Sequence, residues 1–246
     1  MSRPAAARLD RLLANLGYGS RREVQRLIAA GEVILDGQAL RDAAQRLPVT
    51  ADLTERMRVS GAPLDPPAPL TLILHKPLGV VCSHREGGRS VHELLPPRWR
   101  RRDPALSTVG RLDLDTTGLL LMTDDGPWLH KVISPRNHVA KRYRITLARP
   151  LEGHEAELFA AGTLILESDS DPLAPAILDP LSPTTATLTI TEGRYHQVRR
   201  MFAAVGNHVT ALHRDRIGGL DLPSDLGAGR FRVMSAEARA AVFAEP

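Results

Sequence analysis

Leu9, Leu12, Leu13 and Leu16 recur at i, i+3, i+4 and i+7, the spacing of one apolar face of a helix. Gly17 and Gly19 end that helix. Ser20-Arg21-Arg22-Glu23 opens a second one as a capping box, with Ser20 at the cap and Glu23 reaching back. Val24, Leu27 and Ile28 form its apolar face and Gly31 stops it. Glu32 to Leu35 predicts a short strand, and Asp36-Gly37 after it predicts a hairpin turn. Gly61 to Pro69, GAPLDPPAP, reads as a stiff extended linker. The expected organisation is a first domain over 1–60, a linker over 61–69 and a second domain over 70–246.

Leu70 to Leu74 predicts a strand running into a turn at Lys76-Pro77-Leu78-Gly79, and residues 84–104 read as an exposed, basic loop region. Leu119 to Met122 is a four-residue apolar run bounded by turn signals, which predicts a buried strand. The polar stretch before it, Gly110-Arg111-Leu112-Asp113-Leu114-Asp115, is then a loop anchored by a rigid element, a common place for chemistry. Asp113 and Asp115 there fit either a reactive site or simple turn hydrogen bonds. A helix starts at Pro127 and runs to about Ile133. Arg142 to Leu147 alternates as a strand with Tyr143 and Ile145 on one face. Residues 153–162 are helical, and Thr184 to Thr191 forms another strand. Val198, Met201, Phe202 and Val205 make a helical stripe closed by Gly206. Val209 to Leu212 and Phe231 to Val233 predict further strands. Strands outnumber helices without regular alternation. The expected class is therefore α+β, with a small first domain followed by a largely antiparallel central sheet flanked by helices.

Composition narrows the function. No stretch is long and apolar enough to span a membrane, and the first residues carry no secretory signal. The single cysteine, Cys82, forms no internal disulfide and fits a reducing cytoplasm. Lys+Arg is 32 against 28 for Asp+Glu, a formal +4, and arginines cluster at Arg98, Arg100, Arg101 and Arg102 and again at Arg194, Arg199 and Arg200. Both features point to a polyanionic partner. There is no phosphate-loop or dinucleotide-binding glycine pattern. The histidines, His208 and His213 among them, have no cysteine partners at zinc spacing. Cys82 beside His84 has the elements of a nucleophile pair, but a lone cysteine in Val80-Val81-Cys82 reads as a small buried residue. What remains is a carboxylate among arginines, with no cofactor and no metal implied.

Two resemblances give these pieces a meaning. Arg8-Leu9-Asp10, Ser20-Arg21-Arg22, Ile28, Gly31, Val33 and Asp36-Gly37 resemble the S4 RNA-binding module, which implies RNA contacts from Arg8, Arg21 and Arg22. The second domain resembles the pseudouridine synthases, specifically the RsuA type that acts on small-subunit ribosomal RNA. The residues that carry this are Lys76-Pro77-Leu78-Gly79, Gly110-Arg111-Leu112-Asp113 with Thr117-Gly118-Leu119, Lys141-Arg142-Tyr143, and Glu192 to Met201 (EGRYHQVRRM).

The resemblance implies that Asp113 is the catalytic aspartate, and that Arg199, where the family often has lysine, pairs with it. It implies that Tyr143 packs on the target base and that Arg111 fills the space a flipped base leaves. The same resemblance implies that Leu212 lies near the base and that Lys141, Arg194 and Arg200 are RNA contacts. Tyr195-His196, where relatives acting on 23S rRNA show Asn-Arg, points to 16S rRNA and a single uridine, position 516 in the usual numbering. The implied partner is 16S rRNA or the assembling small subunit, met by a cytoplasmic monomer with no membrane and no small-molecule cofactor. The same chemistry on 23S rRNA, and a non-catalytic rRNA-binding or assembly protein, stay open at this point.

Overall fold

The computed structural model describes residues 6–50, 52–83 and 87–245, so His84 lies outside the described residues. They divide into two compact units. The first takes the described residues up to Leu70 together with Leu95–Ser107 and Thr123–Asp125. The second takes Thr71–Leu94, Thr108–Met122 and the chain from Gly126 onward.

The first unit begins with β1 (Ala6–Arg8), α1 (Leu9–Asn15), α2 (Arg21–Ala30), β2 (Val33–Leu35) and β3 (Gln38–Ala39). β4 (Arg46–Pro48), α3 (Leu53–Arg56), β5 (Met57–Val59) and β6 (Ala62–Pro63) follow. The leucine face of α1 is buried with Val24 and Ile28 of α2, Val33, Met57 and Leu64. Each such side chain contributes about 1.5–3 kcal/mol by leaving water. The capping box is complete: the Ser20 side chain accepts from the Glu23 N–H, and Glu23 accepts from the Ser20 N–H at 2.7 Å. Gly31 ends α2 in the left-handed region at φ 80°. Asp36 and Gly37, at φ 51° and 80°, turn β2 into β3, as the Asp-Gly pair predicts.

Asp10 is wholly buried and collects Arg8 (3.0 and 3.2 Å), Arg21 (3.1 Å) and Gln25 (3.3 Å). The hydrogen-bonded Arg8 guanidinium, followed by Arg21 and Gln25, outweighs the cost of burial and holds the carboxyl well below the usual carboxylate range. The stabilisation is therefore present above the ordinary carboxylate pKa and fades only as pH falls below it.

Two expectations need correction here. Residues 61–69 are not simply a linker. Ala62–Pro63 pairs antiparallel with β5, Leu64 enters the core, and Asp65 is ion-paired with Arg98 at 2.5 Å. The four prolines restrict the backbone without preventing an edge strand. Nor are residues 84–104 an exposed basic loop in their described part. Two 3₁₀ turns, Val91–Leu94 and Pro97–Arg101, bury Val91 and Trp99, and Leu95 between them is buried as well. Arg102, with its side chain only 1% exposed, pairs with the buried carboxylate of Asp124 at 3.1 Å, and the Arg98 guanidinium lies 4.3 Å over the Tyr18 ring. Two of the clustered arginines are thus spent inside the protein, and three apolar anchors hold the segment down.

The second unit contains β7 (Thr71–Lys76), β8 (Ser107–Val109), β9 (Thr116–Thr123), α4 (Gly126–Ile133), β10 (Lys141–Leu147), α5 (Glu155–Ala160) and β11 (Ile177–Ser182). It continues through β12 (Thr185–Ile190), α6 (Gln197–Ala204), β13 (Val209–Ile217), β14 (Leu220–Asp221), β15 (Phe231–Val233) and α7 (Ala236–Ala241). Nine strands form one sheet in the order β11-β12-β10-β13-β9-β7-β15, with β14 on β13 and β8 on β9. β11, β12, β10 and β13 pair antiparallel, and β13 meets β9 in parallel. The α+β class with a largely antiparallel sheet is what the sequence predicts. Leu119 to Met122 in β9 are wholly buried. Among the described residues no helix is long and apolar enough to cross a membrane.

Candidate active site

The loop between β8 and β9 presents Asp113, and its surroundings fix it on both sides. The Cys82 thiol, buried, donates to the Leu112 carbonyl at 3.3 Å and accepts from the Leu112 N–H at 3.4 Å. Cys82 is thus the buried residue its context predicts, and its job is to grip the backbone next to Asp113. On the far side, the Gly79 N–H donates to the Leu114 carbonyl at 3.0 Å. The Lys76 ammonium, on a wholly buried residue, donates to the carbonyls of Thr116 (2.8 Å), Pro77 (3.2 Å) and Leu114 (3.5 Å). Burial lowers the Lys76 pKa, opposed by Cys82, Asp113 and Asp115. The Lys76-Pro77-Leu78-Gly79 motif therefore shapes the Asp113 loop from beneath.

Asp113 lines a cleft of about 760 Å³. Tyr143, Lys141 and Arg199 line it too, as do Arg111, Arg194 and Leu212. Seven sequence-predicted residues thus converge. Tyr143 is buried on β10, Leu212 is buried on β13, and Arg111 is exposed on the loop. Lys141 is partly buried, and its pKa is pulled down to about 8 by burial first and by Arg214 second, with Glu192 opposing.

Three charged residues behave differently from expectation. Arg199 does not pair with Asp113. Its guanidinium is anchored on the Val209 carbonyl at 2.9 Å and pairs with Asp115, 2.9 Å to the carboxylate and 3.2 Å to the carbonyl. The side chain near Asp113 is His196, Nε2 to Oδ1 3.5 Å. Arg194 lines the cleft, yet its guanidinium is taken by Asp169 (2.9 Å), Glu192 (3.3 Å) and the Asp171 and Pro172 carbonyls. Arg200 is bonded to Asp169 at 2.7 Å and to the Glu167 and Tyr195 carbonyls. Both brace the segment 167–172, because a carboxylate in the fold competes with RNA for the same fork. Arg8, Arg21 and Arg22 belong to the other unit. Arg22 is exposed, while Arg8 and Arg21 are held by Asp10 with 45% and 60% of their side chains exposed.

Two cleft residues were given no place in the site by the sequence: His196, which served only to point to the target RNA, and Arg214. His196 caps α6 in the left-handed region at φ 48°, a conformation uncommon for non-glycine residues, and its ring stacks on Tyr195 at 3.9 Å and 17°. Its place inside the EGRYHQ motif was the available signal. Arg214 is 3% exposed in the cleft wall. Its Nε donates to the Leu119 carbonyl at 2.8 Å, its Nη1 to the Tyr143 hydroxyl at 3.4 Å, and its Nη2 has no partner. Two irregularities in the β10–β13 register, at Arg142/Tyr143 and Thr146/Leu147, place Leu212 opposite Ile145, Arg214 opposite Tyr143 and Ile217 opposite Lys141. The extra residue Asp215 is taken by Arg142 and Arg144 at 2.8–3.0 Å. His213 donates to or accepts from the Thr117 hydroxyl at 2.8 Å. Among the described residues no three His, Cys, Asp or Glu side chains gather to hold a metal ion.

The chain belongs to the family of RNA pseudouridylate synthases, whose profile matches residues 71–204, and an S4 domain matches residues 7–53. It is 44% identical over 239 residues to the ribosomal small subunit pseudouridine synthase A of Escherichia coli strain K12, covering 96% of this chain and 99% of that one. It is 40% identical to the protein of the same name in Vibrio cholerae, with the same coverage. A crystal structure of a pseudouridylate synthase superposes with a TM-score of 0.67 at 33% identity, over 96% of this chain and 99% of that one. The protein is an RNA pseudouridine synthase.

Proposed function

We propose that this enzyme converts one uridine of 16S ribosomal RNA, by analogy position 516, to pseudouridine, with Asp113 as its catalytic carboxylate. The observation that carries the target is the match along nearly the whole of both chains to relatives named for the small subunit. The reaction breaks the N1–C1′ bond, turns the uracil and rejoins it through C5. A carboxylate at Asp113 serves by adding to the base, by adding to the sugar, or by taking the C2′ proton. The uridine leaves its stack to reach the cleft, which costs a few kcal/mol. Arg111 at the rim fills the vacated space, while Tyr143 packs on the base and Leu212 borders it. Arg199, held on Asp115, keeps the loop's second carboxylate neutralised beside the reacting one.

A modification map tests this reading. Purified protein, without added cofactor or metal, is incubated with unmodified 16S RNA, 23S RNA and assembling small subunits, and pseudouridine is located by carbodiimide-adduct primer extension. One new site in 16S RNA or the subunit is expected. A site only in 23S RNA overturns the target, and no site anywhere, with tight RNA binding, overturns the catalytic assignment.

Docking falls to the first unit. The double change Arg21→Ala with Arg22→Ala is expected to weaken RNA binding and to flatten its salt dependence, by a slope of about one per lost phosphate contact. Binding isotherms across a salt series check this, and an unchanged slope counts against a phosphate role.

A further inference from the structure

The chain has three tyrosines, and two are committed within the fold. Tyr143 is buried beneath Arg214, and the Tyr18 hydroxyl accepts from the Asp65 N–H. Tyr195 is different: it is 77% exposed, at the rim of the cleft. Leaving a large ring in water gains nothing for folding, yet this ring is held in place. It lies almost parallel on His196, with centroids 3.9 Å apart and planes 17° apart. His196 in turn sits in a left-handed conformation and reaches Asp113 at 3.5 Å. One face of the Tyr195 ring is therefore covered by a neighbour tied to the reactive loop, and the residue as a whole faces solvent. Leu114, 52% exposed, and Arg111 border the same cleft.

We propose that the open face of Tyr195 is a platform for a nucleobase next to the target uridine, so that base, Tyr195 and His196 form a three-tier stack beside Asp113. The inference rests on the RNA substrate of the preceding section and names a contact within it. Aromatic rings that bind nucleic acid do so by such stacking, because every base presents a π face. A flipped uridine loses its own neighbours, and its adjacent nucleotide loses a stacking partner at the same moment. Tyr195 supplies that partner at the place where the strand must be held open. The ordered ring needs little further immobilisation, since His196 already fixes its plane. An apolar protein partner is a poorer fit, because the same cleft is lined by Arg111, Lys141 and Asp113.

The test is a cycle between protein and RNA. Single-turnover conversion is measured for the wild type, Tyr195→Ala and Tyr195→Trp on the RNA that the modification map identifies. Each is also measured on two versions of that RNA, abasic at the nucleotide before or after the target. On intact RNA, Tyr195→Ala is expected to lower the second-order rate by about 5- to 150-fold, the range of one base–aromatic stack, while Tyr195→Trp retains most of it. On one of the two abasic RNAs the wild type is expected to fall to the level of Tyr195→Ala, and the substitution then costs nothing more. An equal loss from Tyr195→Ala on all three RNAs overturns the platform and makes the ring a cover for Asp113. So does full activity of Tyr195→Ala on intact RNA. If the wild type leaves intact RNA unconverted, the failure belongs to the substrate assignment, since the platform is read from differences among active pairs.

Discussion

Asp113→Asn is expected to reduce pseudouridine formation by about 10⁴-fold or more while leaving the fold and RNA binding intact. The side chain keeps its shape, and the loop is held independently of it by the Cys82–Leu112 pair of hydrogen bonds, by Gly79 on Leu114 and by the Lys76 ammonium. What disappears is the charge. Each of the three routes open to the reaction needs a carboxylate oxygen as a nucleophile or as a base, and an amide is neither. Removal of such a group costs on the order of 10⁴-fold or more when nothing replaces it. Asp115 is no substitute, because its carboxylate is engaged with Arg199 at 2.9 Å. Single-turnover conversion, with RNA binding measured alongside, checks the point. Activity of Asp113→Asn within tenfold of wild type would remove Asp113 from the chemistry.

The second large effect is structural. Gly118 lies in β9 at φ 111°, paired with Arg214 of β13 in the parallel register. A Cβ at this position would stand 2.1 Å from the Arg214 carbonyl oxygen and 2.8 Å from its nitrogen. Both atoms are backbone, so relief requires the two central strands to separate. Gly118→Ala is therefore expected to destabilise the second unit by at least about 3 kcal/mol, from steric exclusion added to the strain of a positive φ. Denaturant unfolding monitored on the purified variant provides the measurement, and a shift under about 0.5 kcal/mol would mean the sheet yields more easily than its register suggests. The glycine sits one turn of sequence from Asp113, which explains why the Gly110 to Leu119 stretch has to be read as one piece. One half presents Asp113 to the cleft, and the other half lets β13 come close enough to supply Leu212 and Arg214.

Local signals were legible where local physics decides. The leucine spacing of α1, the Ser20–Glu23 box and the Asp36-Gly37 turn each settle their own geometry, and the apolar run before Thr123 could only be a core element. The Asp113 loop was legible for the same reason, as a polar stretch pinned to that strand. What could not be read depends on partners far along the chain. β13 runs to Ile217, beyond the four residues its alternation predicts, because bulges at two places break the period-two pattern. β11 contains Pro180 and mixed polarity, which hides an edge strand. The arginines around Trp99 resemble a solvated basic patch until Asp65 and Asp124 arrive from elsewhere in the sequence. The same blindness applies to Arg199, Arg194 and Arg200. An arginine motif announces a guanidinium, but the nearest acceptor is chosen by the tertiary structure.

Lys76 carries a consequence for the energetics of turnover. Its buried ammonium bonds two carbonyls of the turn that follows Asp113, those of Leu114 and Thr116, and the carbonyl of its own neighbour Pro77. The conformational entropy of that turn is surrendered when the chain folds, long before RNA arrives. Under the proposed reaction, binding energy from the RNA is then free to position the uridine, without any of it being consumed in ordering the loop that presents Asp113. The activation barrier should in consequence carry only a small entropic share from the protein itself.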